Sequence, residues 1–327
     1  MKIVYACLII FGIFLSSFSF SQTSWKGTIN TSWGTSTNWT NGLPSSTNAA
    51  TIGDASFTGS LQPTISSAYT LKSINIGGTV VSVLTISKAV TINEDVTINA
   101  NGTLSQGNIS ITVKGNWNNA GNYILTSNTK CIVNFGGSTQ SIGGTSTTTF
   151  HKSTINTGTV VTLNRNLVVN NLFTIKGTFD PSTFTASGAA GITVDNGGLM
   201  RVNTTLFTDN YNFSGTKTAI GGSIVEYLKA GDQTISSLFT YSTLKISGSG
   251  IKSLVANLSD LKNTGATYGN IQVTGGTFDM AGLTANRTGG GTVGGTFSLA
   301  NTTTLKLSGA SNFPANYNSY SLAPIVR

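Results

Sequence analysis

Apolar and polar residues alternate along this chain in short bursts. Leu84-Thr-Ile86, Val90-Thr-Ile92 and Val96-Thr-Ile98 follow one another on a six-residue beat, and Gly102-Thr-Leu104 extends it. The beat returns at Val161-Thr-Leu163, Leu167-Val-Val169 and Phe173-Thr-Ile175. Strand side chains alternate between two faces, so each triplet sets two apolar groups on one side and its middle residue on the other. Bursts this short, broken by Gly, Asn or Ser, suit the flat faces of a coil better than the strands of a sandwich. Three such faces predict a coil of roughly 18 to 25 residues, within the repeat range of solenoids. Asn93, Asn99, Asn164, Asn170 and Asn203 follow strand-like runs, as corner residues do, because Asn bonds the local backbone and tolerates positive φ. Helical periodicity is missing beyond the first segment. The pattern predicts an all-β parallel β-helix of short strands, with an array of β-sandwiches as the alternative.

A longer pattern lies over the short one. Ile132-Val-Asn-Phe135, Gln140-Ser-Ile142, Phe150, Ser153-Thr-Ile155, Asn166-Leu167 and Gly177-Thr-Phe-Asp180 are matched by Ile224-Val-Glu-Tyr227, Gln233-Thr-Ile235, Phe239, Ser242-Thr-Leu244, Asn257-Leu258 and Gly276-Thr-Phe-Asp279. The spacing drifts only through short insertions, as it does between tandem units whose loops vary. Gln140, Phe150 and Asp180, with Gln233, Phe239 and Asp279, are therefore expected to be scaffold positions. Asp180 and Asp279 fall at equivalent places and read as corner residues. The expected units are 61–127, 128–222 and 223–313, followed by a tail at 314–327.

The first segment belongs to targeting. Met1-Lys2, the apolar run Ile3–Leu15 and the small and polar residues Ser16–Ser21 form a secretory signal peptide, residues 1–21. The apolar run is too short to span a membrane comfortably, and none of spanning length follows. Residues 22–60 differ from the rest in holding Trp25, Trp33 and Trp39. These rings suit either an exposed platform for stacking sugars or a cap over the open end of a solenoid. The cap is the expectation.

The spacing Trp25-Lys-Gly27, Trp33-Gly34, Asn38-Trp39 and Asn41-Gly-Leu-Pro44 resembles the opening of large secreted repeat proteins of Bacteroidetes and their flavobacterial members. Related openings occur in autotransporter-type and haemagglutinin-like adhesins. Val113-Lys-Gly-Asn-Trp117, leading to Val133-Asn-Phe135 and Gln140-Ser-Ile142, is similar to the internal modules of that family. The resemblance implies a right-handed parallel β-helix and a role in cell-surface adhesion, or as a stalk displaying other domains. Family members commonly end in a sorting domain for type IX secretion. None is recognised before Arg327, so the chain is expected to be a fragment, a separately encoded piece, or a protein exported by another route.

Composition narrows the function classes. Only 9% of residues are charged, while 38% are hydrophobic in regular β-branched runs, which argues for a packed fold over disorder. The net charge of +8 is modest for 327 residues, and its Lys and Arg residues stand singly. Nucleic acid is therefore not an expected partner, whereas cell-surface glycans or proteins are. One cysteine, Cys131, remains after the signal segment, so no internal disulfide is possible, and it reads as a packed apolar residue.

Candidate chemistry is sparse. Polysaccharide hydrolysis would need two carboxylates about 5 to 9.5 Å apart. Asp54, Glu94-Asp95, Asp195, Asp209, Glu226, Asp232 and Asp260 complete the acidic inventory without a catalytic signature. His151 has no recognisable partner and reads as a solvated turn residue. No Cys/His cluster suits zinc, Gly188-Ala-Ala-Gly191-Ile-Thr-Val-Asp195 only loosely matches a calcium-solenoid beat, and Gly289-Gly-Gly291 and Gly294-Gly295 lack a phosphate-loop lysine. No cofactor or metal is expected. Outward threonines of the triplets, with Thr147–Thr149 and Thr302–Thr304, could form ladders that order water or meet ice, though Thr is also simply a good solvent-facing strand residue. The expected function is a secreted or cell-surface, adhesin-like solenoid without catalysis, with a carbohydrate-active β-helix as the alternative.

Overall fold

A computed structural model of the chain describes residues 22–127, 129–258, 261, 268–287 and 294–323. Residues 1–21, read above as a signal peptide, Asp260 and the glycines 289–291 lie outside them. The described residues form a β-solenoid. One sheet of 14 strands runs its length, from Gln22–Ser24 to Ser319–Leu322, beside a ten-stranded sheet and two four-stranded sheets. Among the described residues, helix is confined to a single turn at Phe207–Asn210 and a 3-10 turn at Ser36–Asn38.

The six-residue beat is one strand per face. Ser82–Ile86, Val90–Ile92 and Val96–Ile98 make one turn, on a four-stranded sheet, the ten-stranded sheet and the long sheet in that order. Gly102–Gln106, Ser110–Val113 and Trp117–Asn119 make the next turn, each strand pairing in parallel with its counterpart below. Partners on paired strands one turn apart are separated by as few as 18 residues (Val161 to Phe179) and as many as 27 (Leu244 to Ile271). Loops at the corners absorb the difference.

Two strands are longer than the beat predicts. Thr148–Ile155 and Leu167–Ile175 each pass a corner without breaking, and their register shifts between Phe150 and Lys152. The first halves pair as Thr148–Phe150 with Leu167–Val169, and the second as Lys152–Ile155 with Leu172–Ile175. His151 sits at that shift, within a strand and buried, so it is neither in a turn nor solvated. A residue at an irregularity cannot follow the inside-outside alternation of its neighbours.

Inside, residues stack in columns. Val96, Trp117, Ile142 and Leu163 are successive partners on the long sheet and all are buried. Burying each such side chain stabilises the fold by about 1.5–3 kcal/mol. Trp117, Tyr123 and Phe150 fill one level with edge-to-face contacts, their centroids 5.0 to 5.6 Å apart. Corners need close approach as well as positive φ. Gly77 has φ +75°, and a Cβ there would lie 2.0 Å from the Gly102 nitrogen of the next turn.

The long repeat does not keep to one face. Ile132–Phe135 belongs to the ten-stranded sheet, but its match Ile224–Tyr227 belongs to the long sheet. Gln140 and Asp180 lie on the long sheet, whereas Gln233 and Asp279 lie on a four-stranded sheet. The copies share local chemistry and are displaced by one face around the solenoid.

The tryptophans of residues 22–60 close the first turn. Trp25, Trp33 and Trp39 are 0, 1 and 2% exposed, so none offers a face for stacking a sugar. Trp39 meets Trp25 at 5.1 Å and Trp33 at 4.7 Å, both edge-on, and its Nε1–H donates to the Trp33 carbonyl at 2.9 Å. Trp25 Nε1–H donates to the Leu61 carbonyl at 2.8 Å. Trp39→Ala should therefore destabilise the protein by about 3–5 kcal/mol, read as a lower midpoint in urea unfolding. An unchanged midpoint would show that this cluster does not hold the first turn.

Candidate functional site

Three polar constructions stand out on the solenoid, and each follows from stacking one turn on the next. The first is at the corners. Gln140 is buried, its Oε1 accepts the Gly137 amide at 2.8 Å, and its Nε2 donates to the carbonyls of Val113, at 3.0 Å, and Gly115 in the turn below. Gln233 repeats this arrangement. Its Oε1 accepts the Lys229 amide at 3.0 Å, and its Nε2 donates to Val202 and Thr204 carbonyls at 3.0 and 2.8 Å. Lys252 is the register partner of Gln233 one turn on, and it takes over the task. Its fully buried ammonium donates to the carbonyls of Lys229, Gly231 and Ser249 at 2.9, 2.5 and 2.6 Å. Burial, reinforced by the Lys229 charge, holds the Lys252 amine below its ordinary pKa.

The corner aspartates are alike in the same way. Asp180 accepts the Ser182 amide at 2.8 Å and Asp279 the Ala281 amide at 2.9 Å. Ser182 and Ala281 both have φ +52°, a left-handed conformation that the aspartate turn supports. Each aspartate also meets a cation from the next turn, Arg201 at 3.2 Å and Lys306 at 2.8 Å. Phe150 and Phe239 are buried and surrounded by other rings: Phe150 lies 5.1 Å from Trp117, and Phe239 lies 5.6 Å from Phe207.

The second construction is a charge ladder on the outer face of the long sheet. Asp180, Arg201, Glu226 and Lys245 alternate in sign on four successive strands. Arg201 bonds Asp180 at 3.2 Å and Glu226 at 3.4 Å; Lys245 and the Ser247 hydroxyl reach Glu226 at 2.8 and 2.9 Å. Asp180 and Glu226 lie two strands apart, about 9.5 Å by strand spacing. That separation approaches the spacing of an inverting hydrolase. Arg201, however, occupies the gap between them. Burial alone would raise the Glu226 pKa, but hydrogen bonds from Lys245 and Ser247, with the charges of Lys245 and Arg201, outweigh it and hold the carboxyl below its usual value. A general acid needs the opposite shift. The ladder's chemistry is cohesion between turns.

The third construction is on the ten-stranded sheet. Its outer face carries Thr70, Thr91, Thr112, Asn134, Thr154, Thr174, Thr193 and Thr218 as consecutive register partners. Seven of the eight are threonine, one per turn, and each is at least partly exposed. The clusters Thr147–Thr149 and Thr302–Thr304 are no part of it. Thr148 is buried and accepts the Trp117 Nε1–H at 3.1 Å, and Thr302 has φ +69° at a turn.

Cys131 and His151 are enclosed. Cys131 is buried, its Sγ–H lies within bonding distance of the Gly107 and Ser127 carbonyls at 3.0 and 2.9 Å, and burial raises its pKa. His151 is held below the usual imidazole value by burial and by Lys152, and its Nε2 has no partner. Among the described residues no group of three or more His, Cys, Asp or Glu converges as metal ligands, and no helix is long and apolar enough to cross a membrane.

Lys252, Arg201 and Lys245 escape a reading by sequence, because their roles arise from register between turns. The chain matches no family model, no curated protein and no solved structure.

The depressed Glu226 pKa implies a pH dependence. Its folded value lies below the ordinary 4.5, so the ladder contributes fully above that pH and fades as pH falls through the folded value. Acid titration of thermal stability should show a loss beginning below about pH 4.5 that is reduced in Glu226→Gln. A variant with the same acid profile as the parent protein would remove Glu226 from this account.

Proposed function

We propose that this protein is an exported, non-catalytic β-solenoid that serves at the cell surface as a stalk or adhesin. One observation carries the reading. The residues that the long repeat preserves, Gln140 with Gln233 and Asp180 with Asp279, make the same bonds to the solenoid's own backbone in both copies. What is duplicated is corner support, which leaves the outer faces as the surfaces free to contact a partner. Export is inferred from Met1-Lys2 and the apolar run behind it. The resemblance of the Trp25–Pro44 opening to secreted Bacteroidetes repeat proteins supports the same assignment.

The partner would be a cell-surface glycan or protein met by an outer polar face. Aromatic stacking through Trp25, Trp33 and Trp39 is disfavoured because all three are buried. The test is cell fractionation of the native producer, together with adhesion of protein-coated beads to polysaccharides and release of reducing ends from them. Surface retention with bead adhesion and no new reducing ends is the expected result. Release of reducing ends that disappears in Glu226→Gln would replace this reading with a carbohydrate-active one.

A further inference from the structure

We propose that the threonine column of the ten-stranded sheet is a surface that binds ice and orders the water in front of it. This goes beyond the stalk or adhesin reading. The column is a repeat in space: Thr70 to Thr218 stand on successive turns in unbroken register. Successive strands are about 4.7–4.9 Å apart, so the eight positions extend on the order of 34 Å. That spacing is close to the repeat between oxygens along the ice lattice. Threonine is β-branched with few χ1 choices, so in a regular ladder its methyl and hydroxyl recur in the same places. Each hydroxyl offers one donor and two acceptor positions to water, and the methyls between them hold none.

The long sheet supplies an internal comparison. Where the ten-stranded sheet shows Thr154, Thr174, Thr193 and Thr218, the long sheet of the same turns shows Thr162, Asp180, Arg201 and Glu226. Both faces meet solvent on strands of the same kind. A general preference for threonine in exposed strands would have filled both, and it fills one. That column holds no charge, and a charged group would impose its own hydration shell on the first water layer.

An independent feature coincides with it. Over the first three rungs an open trough of about 300 Å³ lies along Thr70, Thr91 and Thr112, with Ala68, Ala89 and Ser110 beside them. Those small neighbours leave the threonines unshaded. Farther along, Lys152 flanks the column, and its ammonium turns aside to the Thr129 carbonyl at 3.0 Å. An uncharged row, open to approach over its first three rungs, suits an ice surface. The one aromatic side chain lining the trough, Tyr69, is only partly exposed, and its ring lies 6.3 Å from that of Trp33.

The test is ice recrystallisation with the purified full chain at micromolar concentration, folding being checked by circular dichroism. The parent protein and Thr162→Lys on the long sheet should both arrest grain growth. Thr112→Lys should lose that effect while remaining folded. Should Thr112→Lys fail to fold, Thr91→Tyr, which obstructs the same trough with a strand-favouring residue, decides by the same criterion. Grains that coarsen with the parent protein as they do in buffer would overturn the proposal. So would a folded column variant that still arrests growth, or a polysaccharide that binds this face while ice growth proceeds normally. The adhesion and fractionation results have separate readouts, so failure of this proposal leaves the cell-surface reading standing.

Discussion

The whole molecule depends on one turn of backbone lying in register on the next. Parallel pairing between turns satisfies the amides and carbonyls of every face at once, and it forces like positions into columns. Inside, that constraint makes Val96, Trp117, Ile142 and Leu163 a continuous apolar stack. Outside, it makes the charge ladder and the threonine ladder. A side chain in this fold is thus answerable to its neighbours about twenty residues away more than to its neighbours in sequence.

Corners are where the constraint is hardest to meet. Ladder bonds end there: the Val113 and Val202 carbonyls still accept an amide from the next turn, but Gly115 and Thr204 just beyond them are reached by a side chain. The chain answers with buried donors of sufficient reach. Gln140 and Gln233 bridge two carbonyls of the turn below, and Lys252 gathers three. An unpaired buried carbonyl costs about 1–3 kcal/mol, which exceeds the net stabilisation from most single exposed contacts. A lysine in such a place is tolerable because each of its three hydrogens has a partner. Glycine meets the other corner demand, close approach, as at Gly77 against Gly102.

Much of this architecture was legible from particular residues. The Val-Thr-Ile triplets declared short strands with one wet face, and Val90–Ile92 and Val96–Ile98 are such strands. Asp180 and Asp279 read as corners, and both brace a residue at φ +52°. His151 misled because a histidine beside a lysine suggests a turn, whereas the strand runs through it across a shift in register. The matched copies suggested superposable units, but they stand one face apart. A short motif encodes a strand and its corner without encoding which sheet receives them.

Sequence by itself determined the class of structure, because alternation of period two and the corner residues are local properties of the chain. It also determined that charge would be scarce and scattered. Only the tertiary structure decided which scattered residues meet. Arg201 lies between Asp180 and Glu226, and Lys252 on Gln233, through stacking of turns whose lengths vary between 18 and 27 residues. The threonines share one face for the same reason. With variable turn lengths, register is settled by the packing of the whole column and cannot be counted along the chain.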